Sequence, residues 1–176
     1  FHLYGDYGLN VFNSRSLAYL KDKELESACV SFELRFAQIR DLKKVLRAEA
    51  IVYGRLPLMI TENCLVQNET GCRLDRQGPC VPEDGPCRCG QPNVLVDRTG
   101  AAFPLLPAYG HRTEIQNSKP LYLADRPEHR RLGLAYARLR FTTETAEECV
   151  SVVQNYLDAA PAAGDFTRGL YERGVE

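Results

Sequence analysis

The first 61 residues alternate strand-like and helix-like segments, and this alternation constrains the fold more than any other feature of the chain. ACVSFEL and AIVYGRLPLMIT are short apolar runs rich in β-forming residues, and RFAQIRDLKKVLRA between them has apolar residues at helical spacing. A strand followed by an amphipathic helix is the repeating element of parallel sheets. The sequence therefore predicts an α/β fold with three βα units, whose strands are YGLNVFN, ACVSFEL and AIVYGRLPLMIT.

Residues 62–92 form a cysteine-rich segment that cannot be a regular helix or strand, because Pro and Gly recur throughout it. A long loop of this kind in a compact protein is usually functional or held by a cross-link. Structural disulfides, a bound metal and reactive thiols would each account for it. Five of the chain's seven cysteines lie in this segment, namely Cys64, Cys72, Cys80, Cys87 and Cys89.

A metal accounts for this segment better than the other two explanations. Five clustered cysteines leave one unpaired, and disulfides favour small secreted scaffolds. Thiolates that converge on one ion turn binding energy into folding energy, and zinc takes four ligands from Cys and His. A hairpin predicted after the segment would return the chain toward Cys89 and bring in a histidine. We predict a metal site, with zinc ahead of an iron–sulfur cluster, on Cys64, Cys87, Cys89 and His111.

Residues 93–176 predict a small α+β segment that packs on the βα units. VLVDRTGAAFPLL indicates a β-hairpin with DRTG as its turn, and LAYARLRFT indicates a further strand. TAEECVSVVQNYLDAA predicts a helix that begins with a capping box formed by Thr145 and Glu148. The apolar stripe of this helix consists of Val150, Val153 and Leu157. The predicted division of the chain is thus 1–61, 62–92 and 93–176.

The composition excludes some classes of function. The formal net charge of −1 gives no bulk positive charge for nonspecific nucleic-acid binding. No apolar run reaches the roughly 20 residues that a transmembrane helix needs. The aliphatic core and the Lys/Glu-rich surface are typical of an intracellular enzyme, so we expect a cytoplasmic protein.

The predicted strands carry polar side chains, and barrel-type α/β enzymes gather their chemistry at the carboxyl ends of strands. Asn13 is the last residue of the first predicted strand, Glu33 lies near the end of the second and Arg55 lies within the third. An amide, a carboxylate and a guanidinium can bind a polar substrate or act in acid–base catalysis. Each also has a structural interpretation, since Asn13 can cap a helix and Glu33 can pair with Arg55. We predict these three residues as candidate catalytic residues.

Several phrases together resemble peptidase family U-32, the collagenase-like peptidases, and they occur in the family's order over nearly the whole chain. They are GDYGLNVFNS, VSFEL with QIRDL, VYGRLPLMITENC, LVDRTGAAFPLL, RTEIQNSKPLYLAD, LRFTTE and FTRGLYERG. The resemblance implies a TIM-type barrel, of which this chain would supply three βα units. The expected fold is thus a partial TIM-type barrel, a cysteine-rich loop and a small α+β segment.

The resemblance also implies a function. The first expectation is a C-terminal fragment of a collagenase-like peptidase, inactive or nearly inactive alone. Other members resemble factors for RNA hydroxylation or oxygen-independent ubiquinone synthesis, which carry an iron–sulfur cluster on four cysteines. His111 stands where related sequences commonly have a cysteine, before the R-x-E-I-x-N-S phrase. The alternatives are therefore an RNA-hydroxylation or redox factor and a metal-stabilised binding module.

The partners expected from this interpretation are protein segments. A chain that carries only the later part of a barrel needs the missing N-terminal half, and it exposes a sheet edge that can pair with a second copy. We therefore expect self-association in the absence of that half. RNA remains a candidate substrate that the net charge does not favour, and no membrane partner is expected.

Overall fold

The computed structural model describes residues 1–70, 88 and 91–173. The chain divides into two compact units. Unit 1 is Phe1–Gly54 with Pro120–Glu176, and unit 2 is Arg55–Lys119. The boundaries predicted after residues 61 and 92 both fall inside unit 2, and the predicted C-terminal segment is shared between the two units.

Nine strands and four α-helices are formed by the described residues. The strands are β1 (Leu3–Gly5), β2 (Leu25–Cys29), β3 (Arg47–Gly54), β4 (Pro57–Thr61), β5 (Asn93–Val96), β6 (Ala102–Ala108), β7 (Arg112–Gln116), β8 (Leu121–Tyr122) and β9 (Tyr136–Leu139). The helices are α1 (Ser14–Asp22), α2 (Phe36–Asp41), α3 (Leu65–Thr70) and α4 (Ala146–Asp158). Two short 3-10 helices, Tyr7–Leu9 and Pro127–Arg131, complete the described secondary structure.

The sheet of unit 1 contains four parallel strands in the order β1, β2, β3, β9. Val30 N–H donates to the carbonyl of Glu49, and Ala135 N–H donates to the carbonyl of Ala48, each at a distance of 2.8 Å. Because successive carbonyls of a strand point to opposite edges, β2 and β9 lie on the two sides of β3. The short strand β8 pairs antiparallel with the end of β3. Because α4 follows β9, these two elements make the third βα unit of unit 1, after β1–α1 and β2–α2.

The two main helices of unit 1 begin where the sequence places capping residues. The Asn13 side chain accepts from Ser16 N–H at 2.9 Å and begins α1. Thr145 and Glu148 form the predicted capping box and begin α4. The prediction of α4 from its capping box is confirmed.

Three predictions from the sequence placed the boundaries of strands or helices wrongly. The first strand precedes YGLNVFN, because Asp6 caps a 3-10 turn over Tyr7–Leu9. Helix α2 stops at Asp41 and the next residue, Leu42, is extended, so the predicted helix was too long. AIVYGRLPLMIT forms two strands, because the chain turns at Gly54 with φ 118°. A Cβ at Gly54 would lie 2.0 Å from the carbonyl oxygen of Arg140, so glycine is required there.

The C-terminal residues of unit 1 are anchored in its core. Tyr171 is 1% exposed, stacks on Phe36 and donates its hydroxyl to the carbonyl of Ile51 at 2.6 Å. Arg168 forms a two-pronged ion pair with Asp125 at 2.6 and 2.8 Å. The chain therefore returns from α4 to the core of unit 1.

Unit 2 is an antiparallel sheet in the order β4, β7, β6, β5. The predicted hairpin is confirmed, since β5 pairs with β6 around a turn that Asp97 closes. The Asp97 carboxylate accepts from the N–H groups of Thr99 (2.7 Å) and Ala101 (3.0 Å). Helix α3 follows β4 after a two-residue bend and Cys64, so the prediction that residues 62–92 contain no regular helix was wrong over Leu65–Thr70, which precede the first glycine of that segment.

The mixed α/β class is confirmed, and both sheets are open. Within the residues that the structure describes, no strand closes either sheet into a barrel. The partial TIM barrel therefore stays a prediction. No helix in the described part of the chain is long and apolar enough to cross a membrane.

Candidate functional site

A network of charged side chains lies on one face of the unit 1 sheet. From β9, Arg138 donates through Nη2 (2.6 Å) and Nε (3.0 Å) to Oε2 of Glu49 in β3. The Nη1 group of Arg138 donates to the carboxylate of Asp6, directly after β1. The hydroxyl of Ser27, in β2, donates to the other oxygen of Glu49. All four parallel strands, or their immediate ends, thus contribute to the network.

Strand periodicity explains why these side chains meet. Side chains of a strand alternate between the two faces of the sheet, so Glu49 points opposite to the buried residues Ala48 and Ala50. The register pairs Ser27 with Arg47 and Cys29 with Glu49, which brings Ser27 within reach of Glu49 on the same face. The alternation of RAEA therefore places Arg47 and Glu49 on one face and the two alanines on the other, and Ile51 continues the Glu49 face as a buried apolar residue.

The Arg138–Asp6 contact shows that this face is concave. β1 and β9 are the first and last of four parallel strands, and three interstrand spacings in a flat sheet amount to about 14 Å. An arginine and an aspartate side chain together do not span that distance. The sheet therefore curls towards the face that carries Glu49, and the network lies inside the curve.

The charged members of the network differ in exposure. The side chain of Glu49 is 8% exposed, that of Arg138 is 26% exposed and that of Asp6 is 63% exposed. Burial opposes the charge on Arg138, but the hydrogen bond to Glu49 and the nearby carboxylates outweigh it and raise the pKa of Arg138. A cationic guanidinium is thus fixed between one buried and one accessible carboxylate.

Two further side chains border the network. The Arg140 guanidinium lies 5.3 Å from the centre of the Tyr7 ring. Burial raises the pKa of Cys29 to about 12, although Arg138 opposes the shift. The Cys29 thiol is therefore protonated at neutral pH and presents no thiolate nucleophile.

The structure does not gather the three residues that the sequence predicted as catalytic. Asn13 caps α1, and Glu33 is half-buried in the segment after β2. Arg55 belongs to unit 2, where its guanidinium donates to the carbonyls of Asn117 (3.0 Å) and Ser118. Their catalytic roles stay predictions.

Two of the predicted metal ligands lie at the same end of the unit 2 sheet. Cys64 is 6% exposed and precedes Leu65, whose N–H donates to Thr113 Oγ1 at 3.0 Å. His111 lies two residues before Thr113, in the turn between β6 and β7, with φ 59°. Cys87 and Cys89 fall outside the described residues.

The residue between those two cysteines is described, and it lies beside the start of β5. The carbonyl of Arg88 accepts from the side-chain amide of Asn93 at 2.9 Å. Asn93 pairs with Leu105 of β6, at the end of β5 farther from the Asp97 turn. Within residues 1–70, 88 and 91–173, no three His, Cys, Asp or Glu side chains are grouped as a metal site requires.

The family comparison covers the first part of this architecture. The family model for peptidase family U32 matches residues 4–98, more than half of the chain. This chain belongs to peptidase family U32. The resemblance found in the sequence is confirmed, whereas no curated protein and no solved structure matches. The U32 match contains Asp6, Ser27 and Glu49, and Arg138 lies beyond its end.

Sequence reasoning missed the three charged members of the U32 chain's network. Glu49 is the one charged residue inside the apolar run AEAIVYG, which is a signal for a functional or paired carboxylate. Arg138 and Arg140 alternate in LAYARLRFT, which places both on one face of a strand. Asp6 gave no signal, because the sequence predicted the first strand after it and the structure has that strand before it. Glu49 and Arg138 lie within strands of the sheet, away from the strand ends that the sequence prediction favoured.

Proposed function

We propose that this U32 chain takes part in peptide-bond hydrolysis and that Asp6, Glu49 and Arg138 form its catalytic and substrate-binding centre. One observation carries the proposal: a guanidinium is held between a buried and an accessible carboxylate on the concave face of a parallel sheet. Active sites of parallel α/β enzymes gather at the carboxyl ends of strands, where Asp6 lies. Membership of the peptidase family U32 favours peptides as substrates.

The three side chains take different roles in this proposal. Asp6 is accessible enough to accept a proton from a water molecule whose oxygen attacks the peptide carbonyl carbon. Arg138 donates to the oxygen that becomes negative in the tetrahedral intermediate. Asp6 then returns the proton to the leaving nitrogen, which gives a carboxylate and an amine. Glu49 touches no substrate and positions Arg138.

Hydrolysis of labelled gelatin-derived peptides by the natural protein that contains this chain tests the proposal. Replacing the base by an amide, Asp6→Asn, should lower kcat by about 100-fold or more with little change in KM. Asp22→Asn is the matched control, because Asp22 ends α1 on the exposed surface and should leave kcat unchanged. Unchanged hydrolysis by the Asp6→Asn protein would overturn the assignment.

We propose a second function, metal binding, for the end of unit 2 that carries Cys64 and His111. The supporting observation is topological, since Cys64, His111 and the Arg88–Asn93 contact all lie at that end of the sheet. Thiolate and imidazole are ligands that suit zinc, and Cys87 and Cys89 would complete a tetrahedral set. Zinc would order the cysteine-rich segment, whereas an iron–sulfur cluster would supply electron transfer and favour the RNA-modification or redox alternative.

Metal analysis of anaerobically purified protein separates these outcomes. One zinc per chain in colourless protein supports a structural or hydrolytic role, and a brown chromophore with iron and sulfide supports the redox role. Cys64→Ser and His111→Ala should each lower the metal content. Cys149→Ser is the control, since Cys149 is a cysteine of α4 in unit 1. Protein without metal, or a content unchanged by the first two substitutions, would refute the site.

A further inference from the structure

We propose that the groove between β9 and α4 binds an extended apolar peptide segment with one acidic group, which pairs with β9 as an added strand. The proposal rests on the proposed peptidase function and names the part of the substrate that the protein holds. It is carried by four observations: an open strand edge, an apolar lining, a single type of charge at the groove, and the position of Arg138.

The outer edge of β9 has backbone groups directed away from the sheet. Arg140, directly after β9, donates its N–H to the carbonyl of Tyr53 in β3 at 2.9 Å. Backbone N–H groups alternate in direction along a strand, so those of Ala137 and Leu139 point to the opposite edge. In the part of the chain that the structure describes, no strand pairs with β9 on that side. Such an edge is a template for an added strand.

The groove beside that edge is lined by apolar side chains. It has a volume of about 310 Å³, at the lower end of the range for ligand-binding clefts. β9 contributes Tyr136 and Leu139, and α4 contributes Val153 and Leu157. Leu157 is 71% exposed and Val153 is 41% exposed. An extended peptide that places alternate apolar side chains into the groove would cover both residues.

The charge at the groove is positive. Arg130 and His129 are the only titratable side chains besides tyrosines among its described lining residues, and no carboxylate lines it. Arg130 Nη2 donates to the carbonyl of Tyr156 at 2.9 Å, which holds the guanidinium at the groove. An acidic side chain or a terminal carboxylate of the peptide would pair with Arg130.

The position of Arg138 connects the groove with the polar network. Its side chain reaches Glu49 and Asp6 on the concave face, while the N–H groups of its two neighbours, Ala137 and Leu139, point away from β3. A peptide that pairs with β9 would therefore run directly beside the proposed catalytic centre. The same strand would position the substrate and supply the guanidinium.

Binding of a fluorescein-labelled peptide, measured by anisotropy, tests the groove without requiring hydrolysis. The probe is a nine-residue peptide that alternates Leu with Thr and carries one Asp. Leu157→Asp places a charge in the groove and should weaken binding about tenfold or more. Val150→Asp is the matched control, because Val150 lies on α4, is also 71% exposed and does not line the groove. Its affinity should stay within about twofold of the wild type.

Two further measurements identify the pairing. Ala137→Pro removes an outward N–H and should weaken binding of the probe, whereas Ala137→Val keeps the N–H and should retain most of the affinity. Arg130→Ala should weaken binding of the Asp-containing probe and leave binding of its Asn analogue unchanged.

Equal binding of the Asp-containing probe to the Leu157→Asp and Val150→Asp proteins would overturn the proposal. So would light scattering that finds a dimer which Leu157→Asp dissociates, since a second copy would then occupy the groove. Binding that follows the predicted pattern without any hydrolysis would support the groove and count against the proposed peptidase activity alone.

Discussion

Replacing Arg138 by methionine should destabilise unit 1 by about 3 kcal/mol. The substitution leaves the carboxylate of Glu49, 8% exposed, with the Ser27 hydroxyl but without its cation. Removing one partner of a buried ion pair costs about 3–5 kcal/mol, because the remaining charge stays buried and uncompensated. The lower end of that range applies here, since Arg138 is 26% exposed and water screens part of the interaction.

A second substitution distinguishes a lost ion pair from lost packing. In the Arg138→Met/Glu49→Leu protein the buried charge is absent, and apolar replacement of a buried pair is often neutral. The double variant should therefore be about 2 kcal/mol more stable than Arg138→Met. Urea unfolding followed by far-ultraviolet circular dichroism measures both, since the chain has no tryptophan. A loss below about 1 kcal/mol for Arg138→Met, or no recovery in the double variant, would refute the reasoning.

Three other predictions follow from contacts in unit 1. Arg168 lowers the pKa of Asp125 below its ordinary 3.8, so this pair contributes stability above that pH, and the contribution is lost as the pH falls through the lowered value. The difference between the urea midpoints at pH 6 and pH 3 should therefore be smaller for Arg168→Met than for the wild type. Tyr171→Phe removes the donor to the buried carbonyl of Ile51 and should lower the free energy of unfolding by about 1–2 kcal/mol. An unchanged free energy of unfolding would show that the hydroxyl is dispensable. Thr145→Ala removes the first residue of the α4 capping box and should cost about 1 kcal/mol, which Thr145→Ser should restore.

The helices and hairpins with local signals could be predicted from the sequence. The capping box of α4 and the DRTG turn depend on residues within four positions of each other, and both predictions are confirmed. The division of the chain could not be predicted in the same way. LPLMIT continues the apolar run of β3, and only the turn at Gly54, beside the Arg140 carbonyl, assigns it to another unit. That contact joins residues far apart in sequence.

The candidate site was harder to predict, because its members have ordinary local explanations. A glutamate in a strand is unusual, but its significance depends on the partner it finds. Glu49 finds Arg138 at a separation of 89 residues, and Arg138 finds Asp6 at a separation of 132 residues. Asn13 illustrates the converse case, since its capping role was visible locally and is the one that the structure describes.

The long sequence separations in the network also determine what the site requires. Residues 1–54 supply both carboxylates and the serine, yet they contain no cation that reaches Glu49 in the described structure. The cation arrives on β9, after the whole of unit 2, and the chain then returns to place Tyr171 against the carbonyl of Ile51. The site of unit 1 therefore exists only when the segments before and after unit 2 have folded together. A peptide bound along β9 would contact the strand that joins these segments, because β9 carries the Arg138 guanidinium on one face and has an open backbone edge beside the groove.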